Sequence, residues 1–144
     1  MRTAILLVST DVSRRARPDR SGPELASAAE EAGCEIIGME VVPHDHALVE
    51  DRLTHFVDEG AELVLTIGGT GSAPEHHTPE ATWAVIERET PGIPEAIRAS
   101  DRELLLLFRG IAGLAGSTLI VNLPGAPDAA RRAFGAIVPL LARG

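Results

Sequence analysis

The chain has 144 residues, of which 44% are hydrophobic, 24% charged and 3% aromatic, a balance that favours one compact globular domain and excludes a disordered chain. Its net charge of −8 argues against nucleic-acid binding, because affinity for a duplex depends on neutralising phosphates. All 13 basic residues are arginine, and the lack of lysine excludes a Walker-type phosphate loop.

Cysteine usage and hydropathy predict a cytoplasmic protein with no membrane partner. Cys34 is the only cysteine, so the chain cannot form the internal disulfides that are common in secreted proteins. Residues 1–8 contain one charge and an apolar run that is too short for a signal peptide. No apolar stretch approaches the roughly 20 residues of a membrane helix.

The first part of the chain alternates between strand and helix patterns. It opens with a continuous apolar run, which is typical of a strand buried on both faces. A polar loop follows, and Ser21 is the predicted cap of the next helix. The arginines of that loop, which suit a small anionic ligand or a partner, are Arg14, Arg15, Arg17 and Arg20. The predicted elements are strand 3–9, loop 11–20, helix 21–33, strand 34–42 and a helix from 45 or 46 to 59.

The second part repeats this alternation around a glycine-rich loop. A buried strand runs directly into Gly68-Gly69-Thr70-Gly71. Thr78 is the predicted cap of the next helix, with Pro79 at its first position. Residues 104–108 are compatible with either a strand or a helix. The other predicted elements are strand 62–67, helix 78–89, a helix from about 94 to 102, strand 117–123 and helix 128–141.

Strands that alternate with helices indicate an α/β fold, here a three-layer α/β/α single domain over residues 1–144 with a mostly parallel sheet. In such sheets ligands bind beyond the carboxyl ends of the strands. Four segments are therefore candidate site segments: residues 9–11, 43–46, 68–77 and 122–127.

Two turns in these segments are candidates for binding an anion through their backbone. In Gly68-Gly69-Thr70-Gly71 the glycines let main-chain amides approach a ligand, and a helix N-terminus follows. The second turn is Asn122-Leu123-Pro124-Gly125, where a polar residue near the end of an apolar strand is followed by a Pro-Gly turn with an open backbone. Each motif is also compatible with an ordinary connection between a strand and a helix.

Four of the five histidines fall into two clusters at strand ends. His44 and His46 flank one acidic residue, and the adjacent pair His76-His77 follows the glycine-rich loop. Topology predicts that both clusters lie at the same rim of the sheet. Such imidazoles bind zinc or another transition metal in some proteins. Solvated loop histidines are the alternative, and their spacing alone does not define a zinc site.

The sequence resembles the MoaB/Mog family of molybdenum cofactor biosynthesis proteins. The stretch TIGGTG at residues 66–71, followed by TPEAT at 78–82, is similar to the first signature of that family. The stretch LIVNLPGAP at 119–127 is similar to the second signature. Shorter similarities lie at residues 19–22, 42–43 and 109–113. The resemblance covers nearly the whole chain.

This resemblance implies a molybdopterin-binding domain that assembles as a homotrimer or homohexamer. The best-known members of the family are molybdopterin adenylyltransferases, a class of nucleotidyltransferase that uses ATP and Mg²⁺ and releases pyrophosphate. The resemblance also implies which residues bind the ligand here: Gly68, Gly69, Thr70, Gly71, Thr78, Pro79, Arg109, Asn122, Pro124 and Gly125.

Three positions depart from the family pattern. His44 stands where the family motif has an aspartate, His76 replaces a second acidic residue, and Phe108 replaces a serine. Mg²⁺ prefers carboxylate and water oxygens, so an imidazole is a poor substitute. Asp45 and Glu75 each lie one residue from a lost carboxylate and are the candidate Mg²⁺ ligands.

Three functions are compatible with this pattern. The first is adenylyl transfer to molybdopterin, with Asp45, Glu75, His44 and His76 as the candidate catalytic residues. The second is a catalytically degenerate protein that retains the pterin site for binding or assembly. The third is a transition-metal site formed by the four clustered histidines.

Overall fold

The structure is a computed structural model that describes residues 1–141. The last three residues of the predicted domain, 142–144, lie outside the described part. The strands are β1 (Arg2–Val8), β2 (Glu35–Val42), β3 (Leu63–Ile67), β4 (Arg88–Glu89), β5 (Ala112–Ala115) and β6 (Thr118–Leu123). The helices are α1 (Thr10–Ser13), α2 (Ser21–Glu31), α3 (His46–Asp58), α4 (Thr78–Val85), α5 (Gly92–Ala99), α6 (Leu104–Leu107) and α7 (Pro127–Leu141).

The strands form one sheet in the order β2-β1-β3-β6-β5-β4. The first four are parallel to one another, and β5 and β4 are antiparallel to their neighbours. Parallel strands must be joined by crossovers, and the intervening helices supply them. The carboxyl ends of β1, β3 and β6 therefore lie side by side at one edge of the sheet.

Helices cover both faces of the sheet, which confirms the predicted three-layer arrangement. On β1, Ile5 and Leu7 pack into a core cluster with helices α2, α5 and α7. The alternate residues Leu6 and Val8 pack into a second cluster with α3 and α4. Since both faces are buried, β1 is a continuous apolar run, as expected for a central parallel strand.

The main error in the predicted elements lies between residues 86 and 115. The predicted helix 78–89 ends at Val85, and Ile86 has an extended backbone. The amide of Glu87 donates to the carbonyl of Leu114 at 2.7 Å, and β4 pairs with β5. The strand β5 was not predicted, because its four residues carry no periodic pattern and are fixed by pairing with β6.

Smaller differences concern short elements and helix starts. A one-turn helix, α1, opens the predicted loop 11–20 and is capped by Ser9. Residues 104–107 are helical. The predicted caps Ser21 and Thr78 are instead the first residues of their helices. The amide of Gly22 donates to Asp19 Oδ1 at 2.9 Å, so that carboxylate takes the capping role expected of Ser21.

No described helix has the length and apolar character needed to span a membrane.

Candidate functional site

A cavity of about 780 Å³ lies at the carboxyl edge of β1, β3 and β6. This volume falls within the range of small-molecule sites in proteins. Residues from all three strand ends line the cavity, among them Ser9 after β1, Gly68 to Gly71 after β3 and Pro124 to Pro127 after β6. The cavity is where the predicted fold places a ligand site.

The two glycine turns lie next to each other in the wall of this cavity. Gly68 and Gly69 have φ values of +92° and +69°, a left-handed backbone conformation that residues other than glycine rarely adopt. A Cβ atom on Gly68 would lie 2.6 Å from the carbonyl oxygen of Val8, and one on Gly125 would lie 3.4 Å from Gly68 Cα. The absence of side chains therefore lets the two turns pack closely against each other and against the end of β1.

Some main-chain amides of these turns have no partner in the described chain. The amide of Gly68 donates to the Leu123 carbonyl at 3.1 Å, and that of Gly71 donates to His76 Nδ1 at 2.9 Å. Within residues 1–141, the amides of Gly69, Thr70 and Gly125 donate no hydrogen bond. Backbone donors are normally satisfied, so three free donors on one cavity are a ready site for an anion.

Asn122 does not line the cavity, contrary to the prediction from its motif. Its side chain is fully buried, and its Nδ2 donates to Thr66 Oγ1 and Thr82 Oγ1, both at 2.9 Å. Its Oδ1 accepts from the amide of Ile111 at 3.1 Å. The amide group therefore ties β6 to β3 and α4 beneath the site, and both of its N–H donors are already used.

Arg109, Thr78 and Pro79 also lie outside the cavity. The Arg109 guanidinium donates to the carbonyls of Gly71 and His76, at 2.8 and 3.0 Å, and holds the loop between them from behind. Thr78 is buried beneath the glycine turn, and its Oγ1 has no hydrogen-bond partner in the described residues. Arg109 and the amide of Thr78, which donates to the carbonyl of Gly69 at 3.2 Å, hold the loop, and direct contact of these residues with a ligand stays a prediction.

The predicted meeting of the two histidine clusters is confirmed. The rings of His44 and His76 are stacked, with centroids 5.1 Å apart and planes 26° apart, and both line the cavity. His46 and His77 lie further out, with centroids 6.4 Å apart. Burial, together with the neighbouring His76, lowers the pKa of His44. A neutral imidazole is therefore favoured at that position.

The candidate metal ligands do not converge on a metal site. Asp45 Oδ1 accepts from the amide of Leu48 at 3.0 Å and caps α3, and neither Asp45 nor Glu75 lines the cavity. Among the described residues, no group of three or more His, Cys, Asp or Glu side chains is placed to hold a metal ion. The residues present thus fit neither the expected Mg²⁺ site nor a four-histidine site.

The rest of the cavity wall has a cationic side and an apolar side. Arg17 and Arg20 line one part, two of the four loop arginines that the composition had singled out. Phe108 and Leu107 line another part. Phe108 was noticed only as a departure from a motif, and no pattern in the sequence indicated that Leu107 faces a ligand site.

Comparison with known proteins agrees with this geometry. Residues 4–143 match the family described as a probable molybdopterin binding domain. The chain is 36% identical over 135 residues to the molybdopterin adenylyltransferase of Haemophilus influenzae, covering 90% of this chain and 68% of that protein. It is 36% identical over 143 residues to the molybdenum cofactor synthesis protein cinnamon of Drosophila melanogaster, covering 95% of this chain but only 24% of that protein.

A solved structure gives the same result. The molybdopterin biosynthesis enzyme MoaB of Thermus thermophilus superposes with a TM-score of 0.93 at 38% identity, covering 99% of this chain and 92% of that one. Sequence motifs, the matched family and this superposition all agree, and the chain belongs to the MoaB/Mog family of molybdenum cofactor biosynthesis proteins.

Proposed function

We propose that this protein binds molybdopterin, or a closely related phosphorylated pterin, in the cavity at the carboxyl edge of the sheet, as a step of molybdenum cofactor biosynthesis. The observation that carries the proposal is the pair of facing glycine turns with free amides at Gly69, Thr70 and Gly125. Backbone amides of this kind bind phosphate groups without any metal or lysine.

The two sides of the cavity suit the two ends of such a ligand. The phosphate end would meet the free amides and Arg17, whose charge is opposite to its own. The flat ring system would pack against Phe108 and Leu107. A ligand with an anionic end and a planar heterocyclic end uses both walls at once.

A direct titration tests this proposal. The protein is titrated with molybdopterin under anaerobic conditions, and the heat of binding is followed by calorimetry. We expect saturable binding that inorganic phosphate weakens by competition. The proposal fails if no binding is measurable at concentrations at which a known member of the family saturates.

Adenylyl transfer from ATP with Mg²⁺ is a second candidate function. It is favoured by the 36% identity to a molybdopterin adenylyltransferase, and disfavoured by histidines at positions 44 and 76. Pyrophosphate release from ATP, Mg²⁺ and molybdopterin measures it. Release above the blank supports a transferase, and binding without release supports a degenerate pterin-binding or assembly protein.

We also propose that the protein acts in the cytoplasm as a homotrimer or homohexamer, as the family resemblance implies. Trp83 is 55% exposed and lines a shallow groove with Pro79, Glu80, Arg109 and Ile111, so a second copy of the chain could cover an exposed aromatic side chain there. Light scattering after size exclusion distinguishes the two assemblies from each other and from a monomer.

A further inference from the structure

We infer that this cavity binds the phosphate of its ligand without a divalent cation, using Arg17, the N–H of His76 and the free backbone amides in place of a metal. This inference rests on the proposed binding of a phosphorylated pterin and adds the means by which the phosphate charge is balanced.

Few carboxylates lie near the cavity, and two of them cap helices. Asp19 is the one acidic residue that lines it, and its Oδ1 accepts from the amide of Gly22 at the start of α2. Asp45 caps α3 in the same way. The two positions at which the family pattern places acids hold the stacked rings of His44 and His76. A hard cation would find few anionic oxygens here.

Arg17 supplies a positive charge that no acid neutralises. Its Nη2 donates to Ser9 Oγ at 3.2 Å, which holds the guanidinium at the end of β1. In the described part of the chain, no carboxylate lies within ion-pair distance of Arg17, in contrast to Arg20, which pairs with Glu24 at 3.7 Å. A guanidinium with free donors is well suited to a phosphate.

His76 supplies a neutral donor whose tautomer is fixed by the loop. Because its Nδ1 accepts from the amide of Gly71 at 2.9 Å, the proton of the neutral ring is on Nε2. His44 packs against this ring and limits its rotation. Together with Gly69, Thr70 and Gly125, this N–H gives the site several hydrogen-bond donors beside the unpaired charge of Arg17, an arrangement that suits a phosphate.

The first test compares binding with and without metal. Molybdopterin affinity is measured in Mg²⁺ and again in EDTA, and we expect the two dissociation constants to agree within about twofold. A loss of more than about tenfold in EDTA would overturn the inference while leaving pterin binding intact. Absence of binding in both buffers would instead overturn the proposed function, and the inference with it.

The second test changes the charges of the site. Arg17→Gln is expected to raise the dissociation constant about tenfold or more in either buffer, because a charge-assisted hydrogen bond is lost. Arg14→Gln, on the same loop but outside the cavity, is the control and should bind like the wild type. Equal affinities for the two variants would contradict the role given to Arg17.

The third test restores the acids that the family pattern contains. In the double variant His44→Asp with His76→Asp, two carboxylates would repel a phosphate unless a cation screens them. We expect binding that is weakened about tenfold or more in EDTA and recovered in Mg²⁺. Thermal unfolding of each variant checks that the fold is intact. Metal-independent binding by the double variant would contradict the account of charge balance.

Discussion

The Arg109 guanidinium meets the Glu80 carboxylate in a two-pronged ion pair, with N–O distances of 2.8 and 3.2 Å. The same guanidinium donates to the carbonyls of Gly71 and His76, so α4 and the glycine-rich loop are joined through one side chain. The pair is half-exposed, so its contribution to stability is small.

Removing this guanidinium should weaken ligand binding while leaving the unfolding free energy nearly unchanged. We expect Arg109→Ala to lose about 1 kcal/mol of unfolding free energy or less, yet to weaken pterin binding several-fold, because the loop carrying His76 is no longer held. Arg132→Ala, which removes the ion pair with Asp101, is the control and should leave affinity unchanged. Equal affinities for the two variants would show that the contacts of Arg109 with the loop are not needed for binding.

Lowering the pH should destabilise the protein through His44. Burial first, and then the neighbouring His76 and His77, lower its pKa from the ordinary value of 6.5, while Glu75 and Asp11 oppose this shift. The unfolded chain therefore binds more protons than the folded chain below that value. The destabilisation caused by His44 is therefore absent above pH 6.5 and grows as the pH falls below that value.

Urea unfolding at about pH 7.5 and about pH 5.5 measures this effect. The wild type should lose more stability between these values than His44→Gln does. His55→Gln, on α3 and away from the cavity, should behave like the wild type. An identical pH dependence for the wild type and His44→Gln would contradict the prediction.

Asn122 should be far more important for stability than its place in a motif suggests. Asn122→Leu leaves the amide of Ile111 without its acceptor and removes the links to Thr66 and Thr82, so we expect a loss of about 2–4 kcal/mol in unfolding free energy. Thr54→Ala, which removes an exposed hydroxyl bond within α3, should cost less than about 0.5 kcal/mol. A loss below about 1 kcal/mol for the asparagine variant would contradict this role.

The role of the glycine turn can be tested with two alanine substitutions that should change the unfolding free energy in opposite directions. Gly68→Ala would place a Cβ atom on a left-handed backbone and against the Val8 carbonyl. We expect it to lower the unfolding free energy by about 2 kcal/mol or more and to weaken ligand binding. Gly135→Ala lies in open space within α7 and should stabilise the protein by about 0.5–1 kcal/mol without changing affinity. Unimpaired binding by Gly68→Ala would contradict the close backbone approach.

Periodicity predicted the parallel core of the fold because each central strand is apolar on both faces. The runs at residues 3–9, 62–67 and 117–123 correspond to β1, β3 and β6 within one residue at each end. The antiparallel strands β4 and β5 were not predicted, since two and four residues cannot show a period and their pairing is decided by contacts distant in sequence.

The site was only partly predictable for a related reason. Topology brought the turns at 68–71 and 122–125 and the rings of His44 and His76 to one cavity, as the strand order requires. A motif, however, does not say which way a side chain points. Asn122 and Arg109 face the protein itself, whereas Arg17, which belongs to no motif, and Phe108, which departs from one, line the cavity.

The central claim is that free backbone amides receive the phosphate, and amide chemical shifts in an ¹⁵N-labelled sample report on them directly. On addition of molybdopterin, the account predicts that the largest shift changes fall on Gly69, Thr70 and Gly125. Unchanged signals from these three amides alongside large changes elsewhere, for example around Trp83, would contradict it.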